Sequence, residues 1–204
     1  MKRRLKTLTA AVLALAMILS LAACGAPSPT EQAEKTVAGM FQALKTMDFE
    51  AAAKYTGEAA FLEGDLGLDE MPGGEEFFRT LFERVDYQIL GSQQEDEDTV
   101  FVQTKITAVD MKPVFGQFLA KAMEYAFAHM FDDPAPSDEQ MEAEMMKILS
   151  EEMAKPDLAT VENEVLIEVE KGENGWTVDS SETLVNALLG GLQEAVDELS
   201  DAFG

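Results

Sequence analysis

One cysteine, Cys24, and one histidine, His129, are the only residues of their kind among the 204 of this chain. A lone thiol makes no internal disulfide, so Cys24 needs some other use. His129 stands late in a helical stretch, between Ala128 and Met130 and just before Phe131-Asp132-Asp133. A general base needs an orienting partner and a pocket, and the local pattern supplies neither. A histidine near a helix C-terminus is favoured by the helix dipole, which accounts for the position structurally. The other acid–base candidates are Tyr55, Tyr87, Tyr125 and Asp110, and no spacing among them marks a dyad. Two acidic clusters, Asp65/Asp69/Glu70 and Glu95-Asp96-Glu97-Asp98, are of the right type for a hard cation. Neither has the alternating acids, central glycine and distal glutamate of a calcium loop, so both read as solvated turns. There is no glycine-rich phosphate loop, no serine-nucleophile motif and no Cys/His metal set. The expectation is a non-enzymatic chain with no catalytic residue, no metal and no cofactor.

Cys24 acquires a use from what precedes it. Lys2, Arg3, Arg4 and Lys6 give a positive start, Leu8 to Ala23 form an apolar run, and small residues close it. This is the order of an export signal, and the run is shorter than the ~20 residues of a permanent spanning helix. Leu21-Ala22-Ala23-Cys24 resembles the bacterial lipobox. That resemblance implies cleavage between Ala23 and Cys24, with a diacylglyceryl group on the thiol and palmitate as its acyl type. Two buried acyl chains hold a protein stably to a bilayer, at about 0.8 kcal/mol per methylene. The expected organisation is a signal peptide over 1–23, a lipidated cysteine and short tether over 24–28, and one domain over 29–204. Gly25 after the cysteine and the acidic chain resemble a low-GC Gram-positive surface lipoprotein, so the expected location is extracytoplasmic and lipid-anchored.

Of the 15 Lys and Arg, four lie in residues 1–23, so 11 face 39 Asp and Glu in the mature chain, a formal charge of −28. Nucleic acid is excluded as a partner, since phosphates need basic patches. Anionic head groups repel such a domain, which should stand off the membrane on its tether.

The elements follow from hydrophobic period. Ser28-Pro29-Thr30-Glu31 has the form of a capping box with proline in the first turn, and Ala33, Val37, Met40, Phe41 and Leu44 share one helical face. Asp48 caps a second short helix to Tyr55. After a Gly- and acid-rich loop, Phe77, Phe78, Leu81 and Phe82 mark a third. The period then becomes two. Val85, Tyr87 and Ile89 form a strand, Gly91 to Asp98 a polar turn, and Val100 to Ala108 a second strand. Helical period returns over Lys112 to Phe131, broken by Pro134 and Pro136. Ser137 to Gln140 caps another helix that Pro156 ends, so about 112–157 reads as a helical hairpin inserted between strands. Val161 to Val169 alternate with glutamates, Gly172 to Gly175 turn, and Trp176 and Val178 return. Ser180 or Ser181 then caps a final helix to Leu199, weakened by Gly190-Gly191 at roughly 1 kcal/mol per glycine. The expected class is α+β: a curved antiparallel sheet with N-terminal helices packed on it, an inserted helical hairpin and a C-terminal helix.

Leu44-Lys45-Thr46-Met47-Asp48-Phe49-Glu50-Ala51-Ala52, Gly175-Trp176-Thr177-Val178-Asp179 and Ser181-Glu182-Thr183-Leu184 together resemble the nuclear-transport-factor-2-like (cystatin-like) cone fold over most of residues 29–180. The likeness is to small lipoproteins of unknown function, and it implies a fold more than a function. The hairpin is rich in methionine, which adapts to irregular partners, or simply packs onto the sheet. A lid over the cone would make an apolar pocket from Phe118, Met123, Phe127, Met145 and Trp176. The first functional expectation is an extracytoplasmic module that binds a small apolar ligand or a surface protein. The alternatives are a cone-fold isomerase, dehydratase or hydrolase with a pocket under the hairpin, and a structural or assembly lipoprotein.

Overall fold

The computed structural model of the protein describes residues 27–57 and 74–196. Ala23, Cys24, the Asp65/Asp69/Glu70 cluster and Leu199 lie outside them. The order is α1 (Pro29–Lys45), α2 (Phe49–Thr56), α3 (Gly74–Glu83), β1 (Asp86–Gln94), β2 (Thr99–Val109), α4 (Met111–His129), α5 (Asp138–Met153), β3 (Thr160–Gly172), β4 (Gly175–Val178) and α6 (Glu182–Leu188). The class is α+β. The four strands form one antiparallel meander in the order β1-β2-β3-β4.

Helix α1 starts where the capping pattern places it. Ser28 Oγ accepts from Glu31 N at 3.2 Å, and Glu31 Oε2 accepts from Ser28 N at 2.8 Å. Its apolar face, Ala33, Val37, Met40, Phe41 and Leu44, is buried across all four strands. From the sheet, Val100, Val102, Ile106, Val165, Ile167 and Val169 rise to meet it. Phe41 stacks on Tyr87 of β1 with ring centroids 4.3 Å apart. The opposite sheet face carries a cross-strand charge pair, Lys105 with Glu162 at 3.1 Å. One packed and one wet face is the usual solution for an antiparallel sheet.

Two expectations need correction. Gly91 to Gln94 belong to β1, and the turn is confined to 95–98. A bulge at Leu90 shifts the register between Ile89 and Gly91. An inserted residue reverses which face the following side chains occupy, so alternation past Ile89 is lost to the eye. The final helix is not continuous through Gly190-Gly191 either. Helix α6 ends at Leu188, with both glycines at positive φ, +59° and +77°. Gly191 N donates to Asn186 O at 3.0 Å and Gly190 N to Ala187 O at 3.3 Å, the paired bonds of a Schellman termination. Helix resumes at 192.

The inserted hairpin lies between β2 and β3 as expected, from Met111 to Met153. Its root is fixed at several points. Asp110, considered above as an acid–base candidate, caps α4 by accepting from Lys112 N at 3.1 Å. Asp110 N donates to Ala159 O at 2.9 Å, and Met111 N to Gly190 O at 3.0 Å. Met111, Val114, Ile148, Leu149 and Met153 are buried at this end.

Candidate functional site

The hairpin carries the features that the fold itself does not explain. Its helices are joined by an ion-paired core. Glu152 of α5 is 1% exposed, and Lys121 of α4 reaches its Oε1 at 2.8 Å while Lys155 meets Oε2. Both lysines approach from solvent, with nearly half of each side chain exposed. The two ammonium groups, Lys121 first, hold the Glu152 carboxyl below its ordinary range, and Glu152 in turn raises Lys121. A carboxylate with a depressed pKa stabilises the fold above its unfolded value and loses that contribution as pH falls through the depressed one. Replacing both lysines by methionine leaves a buried, uncompensated carboxylate, whose pKa then rises. The expected result is a urea midpoint well below wild type at pH 7 that approaches the wild-type value at pH 4. A deficit of equal size at both pH values would show that the charge pairing is immaterial.

Beyond this pair, towards the turn, the two helices leave an open groove of about 600 Å³. Tyr125 and His129 line it from α4, Gln140, Ala143, Glu144 and Lys147 from α5, and Pro134 to Pro136 close the end. The His129 ring lies 4.2 Å from that of Tyr125. Its Nδ1 is 2.9 Å from Tyr125 O, a carbonyl that can only accept, so Nδ1 carries a proton and Nε2 is the position left for other contacts. Glu144 is ion-paired to Lys147 at 2.8 Å, which raises the lysine pKa. Among the described residues no three His, Cys, Asp or Glu side chains come together as a metal set.

The five residues expected to shape a pocket are dispersed. Phe118 packs half-buried against the core, and Met145 is half-buried on α5. Trp176 is half-buried on β4, a strand that packs against β3, α1 and α2. Met123 and Phe127 face outward, 43% and 63% exposed.

The outward pair belongs to a larger feature. On α4 the side packed to the core and α5 is Met111, Val114, Phe118, Lys121, Tyr125 and His129, at intervals of three and four. On the opposite side Gly116, Ala120, Met123, Phe127 and Met130 recur at the same intervals. Met130 is 59% and the following Phe131 87% exposed. A helix apolar on both sides is normally buried on both, and among the described residues α4 is covered on one. Period alone marked this stretch as strongly apolar, but it did not divide the residues between two faces. Writing residues 111–131 at 100° per residue would have set Gly116, Ala120, Met123, Phe127 and Met130 on the side away from Met111, Val114 and Phe118.

No family model matches the chain, and no curated protein matches it. A solved structure that it resembles is the crystal structure of ycdA, a candidate lipoprotein from Bacillus subtilis. It superposes with a TM-score of 0.52 at 16% identity, over 79% of this chain and 56% of that one. The chain therefore spans little more than half the length of that neighbour, and the likeness is one of fold. Among the described residues no helix is long and apolar enough to cross a membrane.

Proposed function

We propose that the protein is a lipid-anchored, extracytoplasmic interaction module without catalytic activity, and that the outer face of α4 is its recognition surface for another protein. The observation that carries this reading is that uncovered apolar face, held out on a hairpin whose root is fixed in the core. Exposed apolar patches of several hundred Å² commonly mark interaction sites. The anchor is supported by Leu21-Ala22-Ala23-Cys24 behind a basic and apolar leader, and by a structural neighbour that is itself a candidate lipoprotein. Helices followed by a meander, with α1 across the sheet, support a nuclear-transport-factor-2-like cone as the scaffold.

A second reading, the cone-fold enzyme, is favoured by one observation. Tyr125, His129, Glu144 and Lys147 converge on one groove, and converging titratable groups are what acid–base chemistry needs. The groove is open along its length and its Glu144 is already paired with Lys147, so recognition remains the better reading.

A photo-crosslinker placed at Phe127 of the anchored chain, in cells that naturally make it, should yield discrete protein adducts. The same probe at Leu166, 60% exposed on the outer sheet face, should yield none. Cys24→Ser should release the chain from the membrane fraction. Adducts that do not distinguish Phe127 from Leu166 would refute the recognition surface, and a membrane-bound Cys24→Ser chain would refute the anchor.

A further inference from the structure

The chemistry of the occupant can be read from the charges around that face. Along the stripe and at its end, residues 116–133 carry three exposed carboxylates, Glu124, Asp132 and Asp133, against one lysine, Lys121, which is turned to Glu152. Glu124 follows Met123 along the stripe, and Asp132-Asp133 directly follow Phe131 at its end. The stripe itself, from Gly116 to Met130, spans about 20 Å at 1.5 Å per residue, the length of a three- to four-turn helix. An apolar stripe bordered by negative charge matches a helix with apolar residues at intervals of three and four and Lys or Arg at its borders. Resting on the reading of α4 as the recognition surface, we infer that its partner is a basic amphipathic helical segment of another protein. A second copy of this chain would set the same carboxylates against each other, and like charges across an interface are unfavourable. An anionic lipid surface is repelled by them in the same way.

The test uses the whole mature chain with Cys24→Ser, which stays in solution. The probes are an 18-residue Leu/Lys amphipathic helix, its Leu/Glu counterpart, and a Leu/Lys scramble of the same composition without an apolar face. The Leu/Lys helix should bind with a micromolar Kd, and the other two at least tenfold more weakly. Raising salt from 50 to 300 mM should weaken it several-fold, as screening shortens the reach of exposed charge. Phe127→Ser with Met130→Ser should cost at least tenfold, and Asp132→Lys with Asp133→Lys should reduce the preference for Lys over Glu. These side chains are exposed, so the variants should keep the wild-type circular dichroism spectrum and melting point.

Equal binding of the scramble would overturn the inference in favour of charge alone. An unchanged Kd in the Phe127→Ser, Met130→Ser variant would place the peptide elsewhere. A dimer in sedimentation that this variant dissociates would make a second copy the occupant. Phosphatidylglycerol vesicles that bind as well as the peptide, through the same residues, would make it lipid. In each case Phe127 adducts in cells would still decide the broader reading: adducts with no selective peptide binding leave an interaction module whose partner has different chemistry.

Discussion

Gly190→Ala should lower the stability of the protein by about 3–5 kcal/mol, read as a fall in the urea midpoint, while Gly191→Ala next to it should cost only about 1–2 kcal/mol. Both residues have positive φ, +59° and +77°, so both substitutions carry the backbone strain of an L-residue in the left-handed region, about 1–2 kcal/mol. They differ in surroundings. A Cβ on Gly190 would stand 1.7 Å from Val109 O and 2.9 Å from Val109 C, whereas one on Gly191 meets nothing within 4 Å. Val109 is backbone at the end of β2 and cannot rotate out of the way. The contact between α6 and β2 must open instead, breaking the bond from Met111 N to Gly190 O and uncovering Leu188 and Leu189. Equal losses for the two variants would show that φ alone sets the cost and that the close approach to Val109 can relax.

The second large effect belongs to Phe41. Its side chain is 0% exposed and stacked on Tyr87, at the point where α1 crosses the sheet. Phe41→Ala removes that buried area and leaves a cavity that α1, held against all four strands, cannot close. Such truncations cost about 3–5 kcal/mol, or a fall of roughly 10 °C in melting temperature for a domain of this size. Phe127→Ala makes the same chemical change on the outer face of α4 and should alter stability by no more than about 0.5 kcal/mol. A large loss for Phe127→Ala would mean that the outer face is already covered within the chain, and the proposed recognition surface would fall with it.

The elements were legible wherever one residue type serves one physical role. Ser28 with Glu31 and Ser137 with Gln140 form capping boxes at the expected positions, because a cap is a local exchange of hydrogen bonds. The α+β order follows from the change of period at Val85 and again at Lys112. Features that depend on distant backbone were not legible. The bulge at Leu90 is set by pairing with β2. Gly190 is required by Val109, 81 positions away along the chain. The candidate site was half legible. The methionine and phenylalanine of residues 111–131 were visible as an apolar excess, while their division into a covered and an uncovered side depended on where α5 lies. Asp110 was visible as an acid at a strand end, and only its distance from Lys112 N makes it a cap.

The position of the hairpin also bears on how the chain folds. Strands β2 and β3 form a continuous ladder from Thr99↔Glu170 to Val109↔Thr160, yet even the nearest pair, Val109 and Thr160, is 51 positions apart. Ladders between distant segments form slowly, because loop closure is lost before contacts repay it. Here the intervening chain is two capped helices that meet through Lys121 and Glu152. Helices form within about a microsecond, and an antiparallel pair brings its two ends together. Once α4 and α5 have paired, β2 and β3 are neighbours at the base of a formed unit, and a pairing that is remote in sequence becomes nearly local in the order of folding events.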